Sequence, residues 1–404
     1  MRLLLSAALV TASVGAAVLS GVDAGAVTAK RTVLVSVNSE GAAATGGHPA
    51  LSSDGRYVAF SSPTGGSNLD ARCRRAGAGA IFLRDRVAGT TECVSLDDTG
   101  TQPLTNTFSP HVSDDGRYVQ YWAEPVDPLN SAAGGVFVRD RLRGLTLRAN
   151  VDTSGAVISS GCFPSAMSTD GSTVAFSAGF ALHIRDLARG TTTTLTNAVS
   201  SCENTPALNR TGQSVAFIGR ADNGVTGLVL HDRTTAARRL VRPGAAHPSL
   251  SADGSVVAYD TRNAADRGDT NGQQDVYVLD RTTRTTTRVS VSTAGALSNG
   301  ASYRPRLSPN GQFVGFLSKA TNLVPADTNG WDDVFVRDRV TGITFRTNLT
   351  ATGAQASRGM STAGGEQIGI TTDAANQTLV AFTSSAPLVS ADRDLTDDIY
   401  LRTP

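Results

Sequence analysis

Apolar residues along this chain fall into short runs that return in the same order, with polar turn residues between them. The clearest run is His48-Pro49-Ala50-Leu51-Ser52-Ser53-Asp54-Gly55-Arg56-Tyr57-Val58-Ala59-Phe60. Its pattern, Pro-x-Leu-Ser-x-Asp-Gly-x-x-Val-x-Phe, predicts a short strand around Leu51, a tight turn at Asp54-Gly55 and a second strand from Tyr57 to Phe60. Asp-Gly suits such a turn because Gly takes positive φ without steric penalty while the carboxylate accepts from nearby amides. The unit returns at Pro110 to Tyr121, Pro164 to Phe176, Pro206 to Phe217, Pro248 to Tyr259 and Pro305 to Phe316. A seventh, eroded copy keeps only Leu379-Val380-Ala381-Phe382. A second hairpin follows each unit. Its first strand is apolar at consecutive positions, as in Val136-Phe137-Val138-Arg139-Asp140 and Val334-Phe335-Val336-Arg337-Asp338, the pattern of a strand covered on both faces. The strand after it alternates Thr or Arg with Val, as in Thr287 to Val291, so one side faces water.

The apolar endings recur every 41 to 66 residues, which fits a four-stranded blade with variable loops. The expected fold is therefore all-β, a seven-bladed β-propeller of four-stranded antiparallel blades. Its closure is also legible. The last blade stops at its third strand, Asp398-Ile399-Tyr400-Leu401-Arg402, and Thr32 to Val37 followed by Gly41 matches the outer-strand pattern of Thr287 to Val291 followed by Gly295. The N-terminal strand should complete the last blade and protect its edge. Residues 30–404 then form one domain. From about residue 31 to 404 the repeats resemble the TolB-like branch of WD-repeat-like bacterial propellers. The resemblance implies the propeller fold. It leaves function open, because the family includes periplasmic scaffolds that bind envelope proteins as well as propellers fused to peptidases. The chain departs from both: no separate N-terminal domain and no C-terminal hydrolase domain is expected.

Composition places this fold in a compartment. Arg2, an apolar run from Leu3 to about Leu19 and small residues at Ala24-Gly25-Ala26 and Val27-Thr28-Ala29 read as a secretory signal over residues 1–29. The expected location is secreted and extracellular, with no membrane insertion of the mature chain. Four cysteines, none spaced Cys-x-x-Cys, suit disulfides there. The expected pairs are Cys73 with Cys93, which flank one predicted strand, and Cys162 with Cys202, which precede the prolines of neighbouring units. A net charge of +1 gives no electrostatic footprint for nucleic acid. The mature chain is expected to be a monomer.

Candidate chemistry is sparse. Asp269-Thr270-Asn271-Gly272-Gln273-Gln274-Asp275 and Asp327-Thr328-Asn329-Gly330-Trp331-Asp332-Asp333 each precede a third strand, with Asp392, Asp394 and Asp398 as a looser third copy. Oxygens at positions 1, 3 and 7 around a Gly turn suit a structural Ca²⁺ held by Asp269, Asn271, Asp275, Asp327, Asn329 and Asp333. The competing reading is a plain Asx turn, and the closing Glu of an EF-hand is absent. His48, His111 and His247 lie beside repeat prolines at the entrance of innermost strands, where three imidazoles would suit a transition metal, although blades 1, 2 and 5 are not all adjacent. His183 and His231 read as structural. Gly359-Met360-Ser361-Thr362-Ala363 lacks the strand-turn-helix setting of a nucleophile elbow, and no catalytic residue or organic cofactor is assigned. The leading expectation is a non-catalytic binding module or scaffold for a protein or a cell-envelope polymer. The alternative is an extracellular lyase or hydrolase acting on carbohydrate or peptide at the channel mouth.

Overall fold

The computed structural model describes residues 30–404 apart from 64–67, 74–78, 98, 101–104, 125–133, 160–163, 197–204, 359–367 and 374. The sequence signal and the Cys162–Cys202 pair lie outside the described residues, as does the 359–363 segment. Seven four-stranded antiparallel sheets form the molecule. Blades 1 to 6 occupy, in chain order, residues 47–93, 105–148, 165–195, 207–242, 245–288 and 302–346. Blade 7 is built from Ile368–Thr372, Thr378–Ser384 and Asp398–Thr403, with Arg31–Leu34 as its outer strand.

That N-terminal strand pairs antiparallel with the last one, from Arg31 opposite Thr403 to Leu34 opposite Tyr400. Thr32 Oγ1 also accepts from Arg402 (2.7 Å) and donates to the Leu349 carbonyl of blade 6 (2.7 Å), so the two chain ends are tied to each other and to the neighbouring blade. Innermost strands of all seven blades line a single axial cavity, from Leu51 and His111 through Met167, Leu208, Leu250 and Leu307 to Ile370. The ring is closed.

Each repeat residue has a visible job. In blade 1 the buried Ser52 hydroxyl donates to Asp54 (2.6 Å) and accepts from the Tyr57 amide (2.9 Å), so one side chain bridges the two ends of the turn. Ser113, Ser168, Ser251 and Ser308 repeat that pair of bonds. Gly55 has φ of +69°, so the turn favours glycine, and it sits against the Leu379 side chain of blade 7. The apolar positions of second and third strands meet between blades. At mid-sheet the cross-strand neighbours are aromatic pairs: Phe60–Phe82, Tyr121–Phe137, Tyr259–Tyr277, Phe316–Phe335 and Phe382–Tyr400, with ring centroids 5.9–6.0 Å apart. In blade 3 the partner of Phe176 is His183, stacked at 5.0 Å and donating or accepting at Thr194 (3.0 Å).

Candidate functional site

In a blade the second-to-third loops and the connections to the next blade emerge at one face, here called the mouth. The Asp-rich turns lie on it, and the structure shows what holds them. In blade 5, Asp269 accepts from the Tyr277 hydroxyl (2.6 Å), and the fully buried Asp275 accepts from Ser290 (2.6 Å), Ser298 (2.9 Å) and the Asn271 side-chain amide (2.9 Å). Arg288, from the outer strand, lies 3.8 Å from Asp269 and 3.7 Å from Asp275 and pairs with Asp266 at 2.8 Å. Blade 6 repeats the plan. Arg346 sits between Asp327 (2.9 Å) and Asp333 (3.0 Å), and Asn329 again donates its amide to Asp333 (3.1 Å). Burial and the adjacent Asp333 charge push the Asp327 carboxyl up to about 6, against the pull of Arg346.

The hydrogen bonds drawn here are those of an Asx turn. Asn271 and Asn329 turn their NH2 groups, not their oxygens, toward the aspartates, and both side-chain oxygens cap backbone amides at Gln273 (2.9 Å) and Trp331 (3.1 Å). The positive charge at the centre is a guanidinium. No spacing rule in the turn could have revealed it, because the arginine comes from a strand 13 residues beyond Asp275 or Asp333. The same tie between second-to-third loop and outer strand is covalent in blade 1, where Cys93, at the position of Arg288 and Arg346, is disulfide-bonded to Cys73 as the sequence predicts. In blade 7 that position is Leu34. There Asp392, Asp394 and Asp398 bring carboxylate oxygens within 4.8 Å of one another. Asp392 accepts from the Tyr400 hydroxyl and Asp398 from Ser36 (2.7 Å).

A second group of residues gathers around the axis at the mouth. His48, Ser109, His247 and Arg304 each precede the proline of an innermost strand and adopt left-handed φ of 56°, 49°, 47° and 52°. The strand register shifts at each of them. A residue before proline favours extended backbone, and a side chain in the left-handed region costs roughly 1–2 kcal/mol. Four such positions hold four half-buried polar side chains at one opening.

Two of them, His247 and Arg304, meet Asp260, which is fully buried at the end of a second strand. Its oxygens accept from His247 Nδ1 (2.8 Å), the Arg304 amide (2.7 Å) and Gln274 (2.8 Å), so one carboxylate joins blade 5 to blade 6. With the proton on Nδ1, the imidazole is held in one orientation. On the other side of the mouth His48 accepts from or donates to Ser61 (2.9 Å) and meets Phe108 edge-on at 6.5 Å, and Phe108 stacks on Trp122 at 5.4 Å. A mostly apolar cavity of about 150 Å³ lies beside them, with the buried Ser62 hydroxyl in its wall and no partner for that hydroxyl among the described residues. Below the mouth the axial cavity holds about 170 Å³, and its lining is apolar apart from His111, Arg306 and a few hydroxyls. The three proline-flanking histidines thus part company: His48 and His247 are in the mouth bulges, whereas His111 lies below on the channel wall. His231 is buried, and burial lowers its pKa and that of His183, as expected of packing residues.

No protein-family model matches the chain, and no curated protein does. Solved structures do. An oligogalacturonate lyase in complex with manganese aligns with TM-score 0.53 and 13% identity over 93% of this chain and 90% of that one. TolB from Acinetobacter baumannii aligns with TM-score 0.38 and 17% identity over 80% and 76%. Hydrazine synthase from Kuenenia stuttgartiensis aligns with TM-score 0.43 and 13% identity over 73% and 77%. At these identities the likeness is one of fold, and it does not choose between catalysis and binding.

Proposed function

We propose that the chain is a secreted, non-catalytic binding module whose mouth engages an envelope protein or polymer. The observation that supports this most is the set of four left-handed, pre-proline residues His48, Ser109, His247 and Arg304, which present polar side chains over a narrow apolar channel. Strained backbone held in four blades at one opening marks that opening as a functional surface. The 170 Å³ channel is smaller than the 300–1,000 Å³ typical of enclosed ligand sites, so a partner rests on the mouth and does not enter the axis. An oxidising destination agrees with the Cys73–Cys93 disulfide.

The test is affinity capture from the producing cell's envelope and secreted fractions, with wild type and with a His48→Ala/Arg304→Ala variant of unchanged melting temperature. Stoichiometric capture by wild type and its loss in the variant are expected; equal capture by both would remove the mouth from the account. One observation favours the enzyme reading, namely the His247–Asp260 pair, a histidine oriented by a buried carboxylate. Turnover of oligosaccharide or peptide substrates that disappears in His247→Gln would establish that reading instead.

A further inference from the structure

Among the described residues, five blade junctions are closed by one device at the rim. An arginine near the end of the third strand donates to a carbonyl of the hairpin leaving the preceding blade. The bonds are Arg84 to Asn38 (3.1 Å), Arg139 to Asp97 (3.0 Å), Arg185 to Asp152 (3.1 Å), Arg337 to Ser292 (3.1 Å) and Arg402 to Thr350 (3.2 Å). An outer-strand threonine donates to the same hairpin each time, as Thr91 to Val37 and Thr344 to Val291.

The junction between blades 4 and 5 keeps the threonine position, Thr286 opposite Leu279, but lacks both the hairpin and the arginine. Its outer strand, Arg238–Arg242, passes through Pro243 and Gly244 straight into Ala245–Leu250, so no hairpin leaves it, and Leu279 stands at the arginine's position. A cleft of about 710 Å³ opens there, walled by Leu279, Arg239, Arg281, Arg284, Asp232 and Asp253. Both carboxylates are committed to their own turns: Asp232 accepts from the Thr234 and Thr235 amides (2.9 and 3.1 Å), and Asp253 from Ser251 (2.6 Å) and the Ser255 amide (2.9 Å). Arg281 donates to the Gly254 carbonyl (2.6 Å). Arg239 and Arg284 are exposed and have no hydrogen-bond or ion-pair partner among the described residues. Arg284 also has φ of +59°, at the turn position where blades 1, 2, 3 and 6 place Gly89, Gly144, Gly190 and Gly342. Glycine holds that conformation more easily, so the arginine is kept against local preference.

We propose that this cleft is a docking slot for an acidic hairpin segment of a partner protein, seated as the chain's own hairpins are at the other junctions, with its carboxylates against Arg239 and Arg284. The slot lies among the turns of the face opposite the mouth and does not depend on the mouth reading. The test is fluorescence anisotropy with a labelled peptide Val-Ser-Leu-Asp-Asp-Thr-Gly, copied from residues 94–100, and its Asn-Asn counterpart. Saturable binding of the acidic peptide is expected, weakened about tenfold or more by the Asn-Asn change and by Arg284→Gly, while Arg284→Gly leaves the melting temperature equal or higher. No saturable binding at low salt, equal binding of the two peptides or an unchanged affinity in Arg284→Gly would overturn the slot. A polyuronate that displaces the peptide as well as unlabelled peptide does, at matched carboxylate concentration, would make this a general polyanion site and overturn the hairpin assignment.

Discussion

At Asp398, burial and the neighbouring carboxylates Asp392, Asp394 and Asp397 push the side chain up to about 7, with only the Ser36 hydroxyl pulling the other way. Above its unfolded pKa the unfolded chain releases this proton while the folded chain keeps it, so stability falls as pH rises from about 4 to about 7. Asp398→Asn keeps an acceptor for Ser36 and removes the charge. Its melting temperature should exceed that of wild type at pH 8 and match it near pH 4; an equal difference at both would exclude Asp398 as the source. Arg346 presents the opposite case, a buried cation between two carboxylates. Arg346→Met strands Asp327 and Asp333 and should cost about 3–5 kcal/mol in denaturant titration. At this scale the sequence singled out the Asp and Asn residues of the turns but not the guanidinium that lies among them. Oxygen spacing within a turn is local, whereas Arg288 and Arg346 arrive from another strand. Asp260 was not singled out at all, since a lone Asp at a strand end carries no spacing signal until His247, Arg304 and Gln274 converge on it.

Strands and turns were the most legible elements, because each blade repeats one local solution. The buried serine of Ser-x-Asp-Gly is the clearest instance: Ser251→Ala leaves the Val256 amide without its acceptor and should cost about 1–3 kcal/mol, read from chemical denaturation. Ser255, whose hydroxyl reaches only the exposed Asp253, is the control and should cost less than half as much. The Cys73–Cys93 disulfide is likewise an element-level tie, closing a span of 20 residues where blades 5 and 6 use ion pairs. Cys93→Ala with Cys73→Ala should lower stability by about 3 kcal/mol, and an unchanged melt would mean that the disulfide does not hold the 2–3 loop of blade 1. Outer strands were placed less well. The expected strand from Thr287 to Val291 is observed as Thr285–Arg288, because Ser290 and the residues after it leave the sheet to bind Asp275 and form the rim hairpin. Those hairpins were invisible in the sequence as a device. In the five described cases their docking partner is an arginine of the next blade.

Over the whole molecule, closure was readable from the two ends alone: a last blade with three strands and a first segment with an outer-strand pattern. Deleting residues 30–40 removes the pairing with Asp398–Thr403 together with the Thr32–Arg402 and Ser36–Asp398 bonds, and should lower the melting temperature by more than any single substitution above. A melt within a degree or two of wild type would contradict the clasp. Function was far less legible, since the proposed binding mouth is assembled from residues of four blades, and neither composition nor period reports such a meeting. Hydrogen–deuterium exchange on the captured complex tests that central claim most directly. Bound partner is expected to slow exchange at residues 45–48, 106–111, 245–248 and 302–306 and to leave the outer strands unchanged. Slowing confined to outer strands or to the opposite face, with the mouth unaffected, would contradict it.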